Sequence, residues 1–159
     1  MTAAVLLAGA LPRLLGPGHA AGPASLAEHT ARYGPPPSGL GRPQREALIE
    51  EVDRAGLTGR GGAGFPTARK LAAVAAGHAP VVVANGTEGE PASAKDRVLM
   101  ACSPHLVLDG AVLAAELTGA GRAVIVAHRD VREIVDEAAA ERAGPAWTGS
   151  GSRSAPRRP

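Results

Sequence analysis

Residues 56–70, GLTGRGGAGFPTARK, combine the residue types that bind a flat, negatively charged ligand. The five glycines of this loop can bring backbone N–H groups close to a phosphate or a planar ring, because no Cβ atom stands in the way. Phe65 offers a face for stacking, while Arg60, Arg69 and Lys70 supply positive charge. The composition indicates an anion-binding loop, and it leaves open the alternative of a glycine-rich turn with solvated cations.

Three of the glycines, Gly59, Gly61 and Gly64, fit the G-x-G-x-x-G spacing of dinucleotide-binding turns. In those proteins the turn leaves a β-strand and enters a helix. Here residues 44–55, which precede the loop, have helical periodicity. The spacing is therefore weak evidence for a Rossmann dehydrogenase, although the loop can still approach a phosphate closely.

A second polar stretch, residues 84–97 (ANGTEGEPASAKDR), follows the β-branched run over 80–85. Ligands of open α/β sheets collect beyond the carboxyl ends of the strands, where this stretch is expected to lie. Asn85 can bond the edge of a ring, and Glu88 and Glu90 can accept hydrogen bonds from ribose hydroxyls or an amide. The alternative for the two glutamates is a solvated acidic loop.

The remaining pattern predicts an α/β domain with a short, incomplete parallel sheet. Periodicity and capping signals predict helices over 44–55, 68–76, 94–102 and 105–118, a last helix around 131–138, and strands over 80–85 and 123–128. Because a two-stranded parallel sheet is marginal by itself, we expect the chain to be the first part of a larger domain. Its predicted segments are a Gly/Pro-rich arm over 1–43, the domain over 44–143, and a disordered basic tail over 144–159.

Several other reactive or charged side chains are expected to be structural. Cys102 is the one cysteine, which rules out an intramolecular disulfide, and we expect it to fill the core. His105, second in a helix that begins with proline, is expected in the cap region or at the surface of that helix. We expect Lys95, Asp96 and Arg97 to form a salt-bridged helix face. The sequence offers no convincing catalytic triad or metal-ligand set, so no catalytic or metal-binding residue is predicted.

Charge and hydropathy narrow the class of protein. The net charge is +2 and four arginines crowd the C-terminal end, so the body is nearly neutral and a nucleic-acid partner is unsupported. No stretch approaches the ~18–20 apolar residues of a membrane-spanning helix. We expect a cytoplasmic protein; a secretory leader is the weaker alternative, because no Lys or Arg precedes the apolar run over 3–11.

Residues 45–128 resemble the NADH-binding, FMN-carrying flavoprotein subunit of respiratory complex I and its relatives in NAD-linked hydrogenases and formate dehydrogenases. The family motif G-R-G-G-A-G-F-P-T-G-x-K matches residues 59–70 except at Ala68. A second motif, N-x-D-E-x-E-P-G-x-x-K-D-R, matches residues 85–97 except at Thr87 and Ala92. The two motifs lie in the family's order and spacing, and the PHLVLDG stretch that follows also matches.

The resemblance implies a three-layer, Rossmann-like FMN-binding domain with FMN and NAD(H) as cofactors. It places the glycine loop and Lys70 against FMN, and Asn85, Thr87 and Glu88 beside the flavin and its ribityl phosphate. It also places Phe65 on the NADH adenine and Glu90 on the nicotinamide nucleotide. The residues at these cofactor-binding positions are Gly59, Arg60, Gly61, Gly62, Gly64, Phe65, Lys70, Asn85, Thr87, Glu88 and Glu90.

The sequence departs from the family in ways that bear on activity. Thr87 replaces a carboxylate near the flavin, and the Tyr-containing strand and the Gly-Glu-Tyr-like turn that complete the family's nucleotide site have no match after residue 128. The family's 4Fe–4S cysteines are also missing, so the resemblance implies an iron–sulfur partner subunit or domain, and a location at the inner face of the membrane through a larger complex. We therefore expect a chain truncated to the FMN-binding domain, acting in NADH oxidation; the alternative is a catalytically silent paralogue that serves as a nucleotide-binding or interaction module.

Overall fold

The structure of the protein, a computed structural model, describes residues 14–15, 22–59, 63–89 and 92–142. Within these ranges the chain forms six α-helices and two β-strands, with a short 3₁₀ turn at Arg129–Val131. In chain order the elements are α1 (Leu26–Tyr33), α2 (Arg42–Arg54), α3 (Thr67–Ala75), β1 (Val82–Gly86), α4 (Lys95–Cys102), α5 (Pro104–Thr118), β2 (Ala123–Ala127) and α6 (Arg132–Glu141). The tail predicted over 144–159 lies outside the described residues.

The two strands form one parallel sheet, as the sequence predicts. They pair in register from Val82 opposite Ala123 to Gly86 opposite Ala127. A parallel pair needs a crossover connection, and α4 and α5 supply it. The opposite side of β1 is less covered, since Val83 remains 58% exposed. The α/β class and the short parallel sheet are therefore confirmed.

Helix α5 is the centre of the fold. It packs against both strands and against all the other α-helices of the described part. Its buried side chains include Leu108, Ala111 and Leu117, and the small residues among them allow neighbouring helices to approach closely. A second apolar cluster, built on Met100 and Val135, joins α4 and α6 to the inner face of β2.

A glycine is required where β1 ends. A Cβ atom on Gly86 would overlap Cε of Met100 and would lie 3.3 Å from the carbonyl oxygen of Val126. Met100 is buried in the apolar cluster, so it has little room to move. The glycine therefore lets the core close directly beneath the loop that carries the predicted ligand contacts.

The five predicted helices and both predicted strands are present, with bounds that differ by a few residues. Helix α2 begins at Arg42 rather than at residue 44, because Pro43 is well suited to the first turn of a helix. Strand β1 begins at Val82, two residues later than predicted. Helix α6 follows a separate 3₁₀ turn that the periodicity did not distinguish from it.

The predicted arm over 1–43 contains a helix, α1, that the sequence analysis did not identify. Ser25 caps it: the Ser25 hydroxyl accepts a bond from the Glu28 backbone N–H, and the Glu28 carboxylate accepts one from the Ser25 N–H at 2.9 Å. This reciprocal capping box is a recognised helix start signal. Glycine and proline lie on both sides of the eight-residue helix, and this composition favours an irregular arm. The arm's boundary at residue 43 stays a prediction.

A polar cluster fastens α1 to the body of the fold. His29 of α1 is buried, and its Nε2 atom lies 2.7 Å from Oδ2 of Asp109 on α5. The Arg142 guanidinium, which follows α6, contacts the other oxygen of the same carboxylate. The Leu26 backbone N–H also donates to the Glu141 carboxylate at 3.0 Å. Polar and charged groups from α1, α5 and the end of α6 therefore meet near the amino end of α5.

His105 belongs to this cluster; it lies in the first turn of α5, as expected for a cap-region residue, but the alternative of a surface position is wrong. The residue is 1% exposed. Arg142 Nε donates to His105 Nδ1 at 3.0 Å, and Nη2 donates to the His105 carbonyl at 2.9 Å. With Nδ1 accepting, Nε2 is the donor to the Glu141 carboxylate at 3.1 Å. The partners lie more than 30 residues along the chain, so local sequence gave no sign of this burial.

The cluster predicts a stability that depends on pH through His105. Burial, and next the positive charge of Arg142, lower the pKa of His105 below its ordinary value of 6.5. Between that lowered pKa and about 6.5 the unfolded chain binds more protons than the folded one, so the free energy of unfolding rises with pH in this window. The contribution of His105 to the free energy of unfolding should therefore be fully present above about pH 6.5, and it should fall as the pH drops below that value.

Denaturant titrations at several pH values between 5 and 7.5 measure this effect. The variant His105→Gln should lose part of the pH dependence, whereas His78→Gln, at an exposed position, should keep the wild-type slope. An unchanged slope in His105→Gln would show that other groups cause the dependence.

Candidate functional site

The glycine loop is closed at its base. Thr58 and Pro66 form an antiparallel bridge, the Gly59 N–H donates to the Phe65 carbonyl at 3.0 Å, and the Thr67 N–H donates to the Leu57 carbonyl at 2.9 Å. The loop leaves helix α2 and enters helix α3, which agrees with the sequence interpretation that it is not a Rossmann turn. These bonds hold the two ends of the loop against each other.

Two of the three described glycines of this loop, Gly59 and Gly64, have space around the backbone that the described residues do not fill. Gly64 has φ of +57°, which L side chains rarely adopt, and an added Cβ would meet no heavy atom within 4 Å. At Gly59 the nearest atom to an added Cβ would be the Phe65 carbonyl oxygen, at 3.8 Å. Among the described residues, neighbouring packing therefore does not require glycine at position 59.

Helix α3 begins with a charge arrangement that suits an anion. Pro66 is its N-cap residue and provides no side-chain bond, and the first turn contains no acidic residue. Instead the first turn carries Arg69 and Lys70, both exposed. Cations at the positive end of a helix dipole are unfavourable unless an anion binds there. A bound phosphate would stabilise both the open N–H groups and the two cations.

Phe65 provides an exposed aromatic surface beside these cations. Its side chain is 46% exposed, and Lys70 Nζ lies 5.6 Å from the ring centroid. An ammonium group at this distance makes a cation–π contact, which orients both side chains. The structure therefore brings the exposed Phe65 ring, Lys70 and Gly59 together at one loop.

Asn85 and Thr87 lie at the carboxyl end of β1, where the sequence predicts a ligand. The Asn85 side-chain oxygen accepts bonds from the Thr87 N–H at 3.2 Å and from the Thr87 hydroxyl at 2.8 Å. This is an Asx turn, in which the side chain takes the place of a backbone carbonyl. Both residues are exposed, and the turn holds the Asn85 carboxamide in one orientation at the edge of the sheet.

Glu88 differs from the other predicted ligand contacts because its carboxylate already has partners. Its side chain is 5% exposed and accepts bonds from the Ser93 hydroxyl and from the Asp96 and Arg97 backbone N–H groups, at 3.2 and 3.3 Å. Lys95 Nζ lies 3.4 Å away. The Ser93 bond, opposed by partial desolvation and supported by the backbone donors, lowers the pKa of Glu88 to about 2.

The charged residues that follow are paired as predicted. Lys95 contacts Asp96 at 3.1 Å, and Arg97 reaches Asp130, beyond the end of β2, at 3.6 Å. His128 also contacts Asp130, at 3.1 Å. These exposed pairs contribute little to stability, and they leave a mixed-charge surface beside the carboxyl ends of the strands.

Four of the predicted site residues lie outside the described residues: Arg60, Gly61, Gly62 and Glu90. Their proposed ligand contacts stay predictions. The described contacts fall into two groups, one within the glycine loop and one around the loop from β1 to α4. The sequence motifs identified both groups, but they gave no sign that Glu88 is enclosed by its own chain.

Two further properties concern metal ions and membranes. In the part of the chain that the structure describes, no three His, Cys, Asp or Glu side chains are arranged to hold a metal ion. In the same ranges no single helix is both long and apolar enough to cross a membrane; only α4 and α5 together reach that length and composition, and they are bent by 102°.

Comparison with known proteins links this site to one family. Residues 52–146 match the family model described as the Nuo51 FMN-binding domain. A second F subunit of the NADH-quinone oxidoreductase of Rhizobium meliloti is 40% identical over 88 residues, which are 54% of this chain and 21% of that protein. The corresponding NADH-quinone oxidoreductase F subunit of Aquifex aeolicus is 34% identical over 101 residues, 58% of this chain and 24% of that protein. That of Rhodobacter capsulatus is 42% identical over 84 residues, 51% of this chain and 20% of that protein.

The matched region contains both polar loops described above. The chain spans about a fifth to a quarter of the length of these curated relatives. The similarity therefore concerns the domain around the glycine loop and the β1–α4 loop, not the whole of each relative.

Proposed function

We propose that this chain, which belongs to the Nuo51 FMN-binding domain family, binds FMN and takes part in the oxidation of NADH. The observation that supports the proposal most strongly is the start of α3. An open glycine loop, an uncapped helix end, two cations and an exposed ring lie within 12 residues of one another. These groups fit a ligand that is both anionic and planar, as a flavin mononucleotide is.

The chain's own residues would bind and orient the ligands. The glycine loop, including Arg60, Gly61 and Gly62, would place backbone N–H groups against the flavin side, and Lys70 would meet its negative charge. Asn85 and Thr87 would bond the flavin and its ribityl chain from the edge of the sheet. Thr87 can donate one hydroxyl proton but carries no charge, so this part of the site is less acidic than a carboxylate would make it.

NADH would bind on the outer side of the same loop. The exposed face of Phe65 suits stacking on adenine, and Glu90 is proposed to accept bonds from the nicotinamide nucleotide. FMN, when bound, supplies a ring that accepts a hydride from NADH. No acid, base or nucleophile is needed from the chain, whose contribution is to hold two planar groups in contact and to exclude water between them.

Electrons would then leave for an iron–sulfur group on another domain or subunit. The sequence has one cysteine, Cys102, whereas a 4Fe–4S cluster takes four cysteine ligands, so this chain by itself does not supply them. The proposed partners are therefore NADH and an iron–sulfur electron-transfer protein or domain. The proposed location is the cytoplasm, at the inner face of a membrane through a larger complex.

NADH-driven reduction of ferricyanide by the FMN-loaded protein tests the proposed reaction. We expect turnover that requires both FMN and protein and that disappears when NADH is omitted. Turnover no faster than that of free FMN, in a protein that retains bound flavin, would instead support the catalytically silent binding module. Such a result would separate flavin binding from electron transfer.

A further inference from the structure

The Glu88 carboxylate closes the loop between β1 and α4 onto the start of α4. Its two oxygens together accept bonds from the Asp96 and Arg97 N–H groups and from the Ser93 hydroxyl. Asp96 and Arg97 are the second and third residues of α4, whose N-cap residue Ala94 provides no side-chain bond. Glu88 therefore accepts the hydrogen bonds that an N-cap side chain would accept, although Glu88 lies outside the helix.

We propose that Glu88 is a positioning residue that holds the ligand-binding loop in its binding conformation, and that it does not itself contact the flavin. This inference rests on the proposed FMN site. It assigns to Glu88 a role different from that of Asn85 and Thr87, which lie just before it and are exposed.

Burial and hydrogen bonding both support a positioning role. The Glu88 side chain is 5% exposed, so little of the carboxylate surface can reach a ligand. Each oxygen already accepts from at least one donor of the same chain, and to release them would leave the Asp96 and Arg97 N–H groups without their partner. A flavin contact that displaced these donors would leave the start of α4 without its cap.

The backbone at Glu88 carries a cost that this role explains. Its φ is +54°, a conformation that L residues adopt at a cost of roughly 1–2 kcal/mol. The left-handed turn directs the carboxylate back toward α4 immediately after the Asx turn at Asn85. The bonds from Glu88 to Ser93 and to the Asp96 and Arg97 N–H groups, together called the Glu88 clasp, offset that strain. The left-handed turn and the clasp are therefore expected to form together.

Two measurements test the proposal, and the first needs no ligand. In hydrogen–deuterium exchange of the full chain without FMN, Glu88→Ala should raise exchange of the amides at 96 and 97 about tenfold, and Glu88→Gln should raise it less, because a carboxamide oxygen can still accept. Glu133→Gln replaces an exposed glutamate in the first turn of α6 and serves as the matched control, with wild-type exchange. Wild-type protection in Glu88→Ala would overturn the proposal.

The second measurement is the FMN dissociation constant in a double-mutant cycle of Glu88 and Ser93. If Glu88 acts through the loop, Ser93→Ala should weaken FMN binding about threefold, Glu88→Ala about tenfold, and the double variant no more than Glu88→Ala alone. If Glu88 contacts FMN directly, Ser93→Ala should leave the dissociation constant near that of wild type, and this result would overturn the proposal.

The two measurements also separate this inference from the proposed function. Altered exchange in Glu88→Ala, combined with no FMN binding by the wild-type chain, would overturn the proposed function and with it the binding role of the clasp. It would still confirm that Glu88 closes the loop. Normal FMN binding with unaltered exchange would overturn the clasp alone.

Discussion

Replacing Arg142 with methionine is expected to lower the free energy of unfolding by about 3 kcal/mol, because it removes one partner from a buried ion pair. The Arg142 and Asp109 side chains are 10% and 15% exposed. Without the guanidinium, Asp109 would keep the His29 ring as its side-chain partner in the cluster, and the Nδ1 atom and carbonyl of His105 would lose the Arg142 donor. Chemical denaturation followed by far-UV circular dichroism measures the loss.

Two further variants show whether geometry or charge is responsible. Arg142→Lys should recover only a small part of the stability, because one ammonium group cannot reach the Asp109 carboxylate, His105 Nδ1 and the His105 carbonyl together. Arg129→Met, at an exposed position just beyond β2, should change stability by less than about 0.5 kcal/mol. Equal effects of Arg142→Met and Arg129→Met would contradict the assignment of this cluster as a buried fastening of α1 and α6.

The second large effect is expected on FMN affinity. Lys70→Gln should weaken FMN binding roughly 10- to 100-fold, since a hydrogen bond to a charged group contributes about 1.5–3 kcal/mol. The remaining positive charge at the start of α3 would come from Arg69 and the helix dipole. The loss should be smaller at high salt, where the wild-type interaction is itself screened.

The control for this variant is Arg54→Gln. Arg54 ends α2, is exposed, and pairs only loosely with Glu51 at 3.6 Å. The Arg54→Gln substitution removes one positive charge from the neighbouring helix and leaves the glycine loop unchanged. FMN affinity should therefore stay within about twofold of wild type. An equal effect of both variants would show that Lys70 contributes only long-range charge and does not meet the ligand.

Sequence alone predicted most of the fold because its main signals are local. The apolar periodicity of α2, the β-branched strands and the glycines that end helices each depend on neighbours a few residues away. The place of the glycine loop between α2 and α3 was also predicted, whereas the bridge between Thr58 and Pro66 that closes its base was not. The short helix α1 was missed although its capping box, Ser25 and Glu28, is present in the sequence. The glycine and proline content around it outweighed that signal.

The features that the sequence did not predict depend on partners distant along the chain. His105 is buried against Arg142, which lies 37 residues later and donates to its ring. The residues next to His105 in the sequence do not indicate that contact. Glu88 was interpreted as a ligand contact because it occupies a motif position. Its enclosure depends on how the chain folds back to α4, eight and nine residues later. Motif positions identify a loop more reliably than they identify the role of each side chain in it.

The measurement that tests the central claim most directly is a fluorescence titration of FMN with the full chain. Contact with the protein at the glycine loop should change flavin emission, so we expect a saturable change at one FMN per chain that is weakened by Lys70→Gln and unaffected by Arg54→Gln. Flavin emission that stays unchanged at every protein concentration, with no flavin retained after gel filtration, would contradict the account.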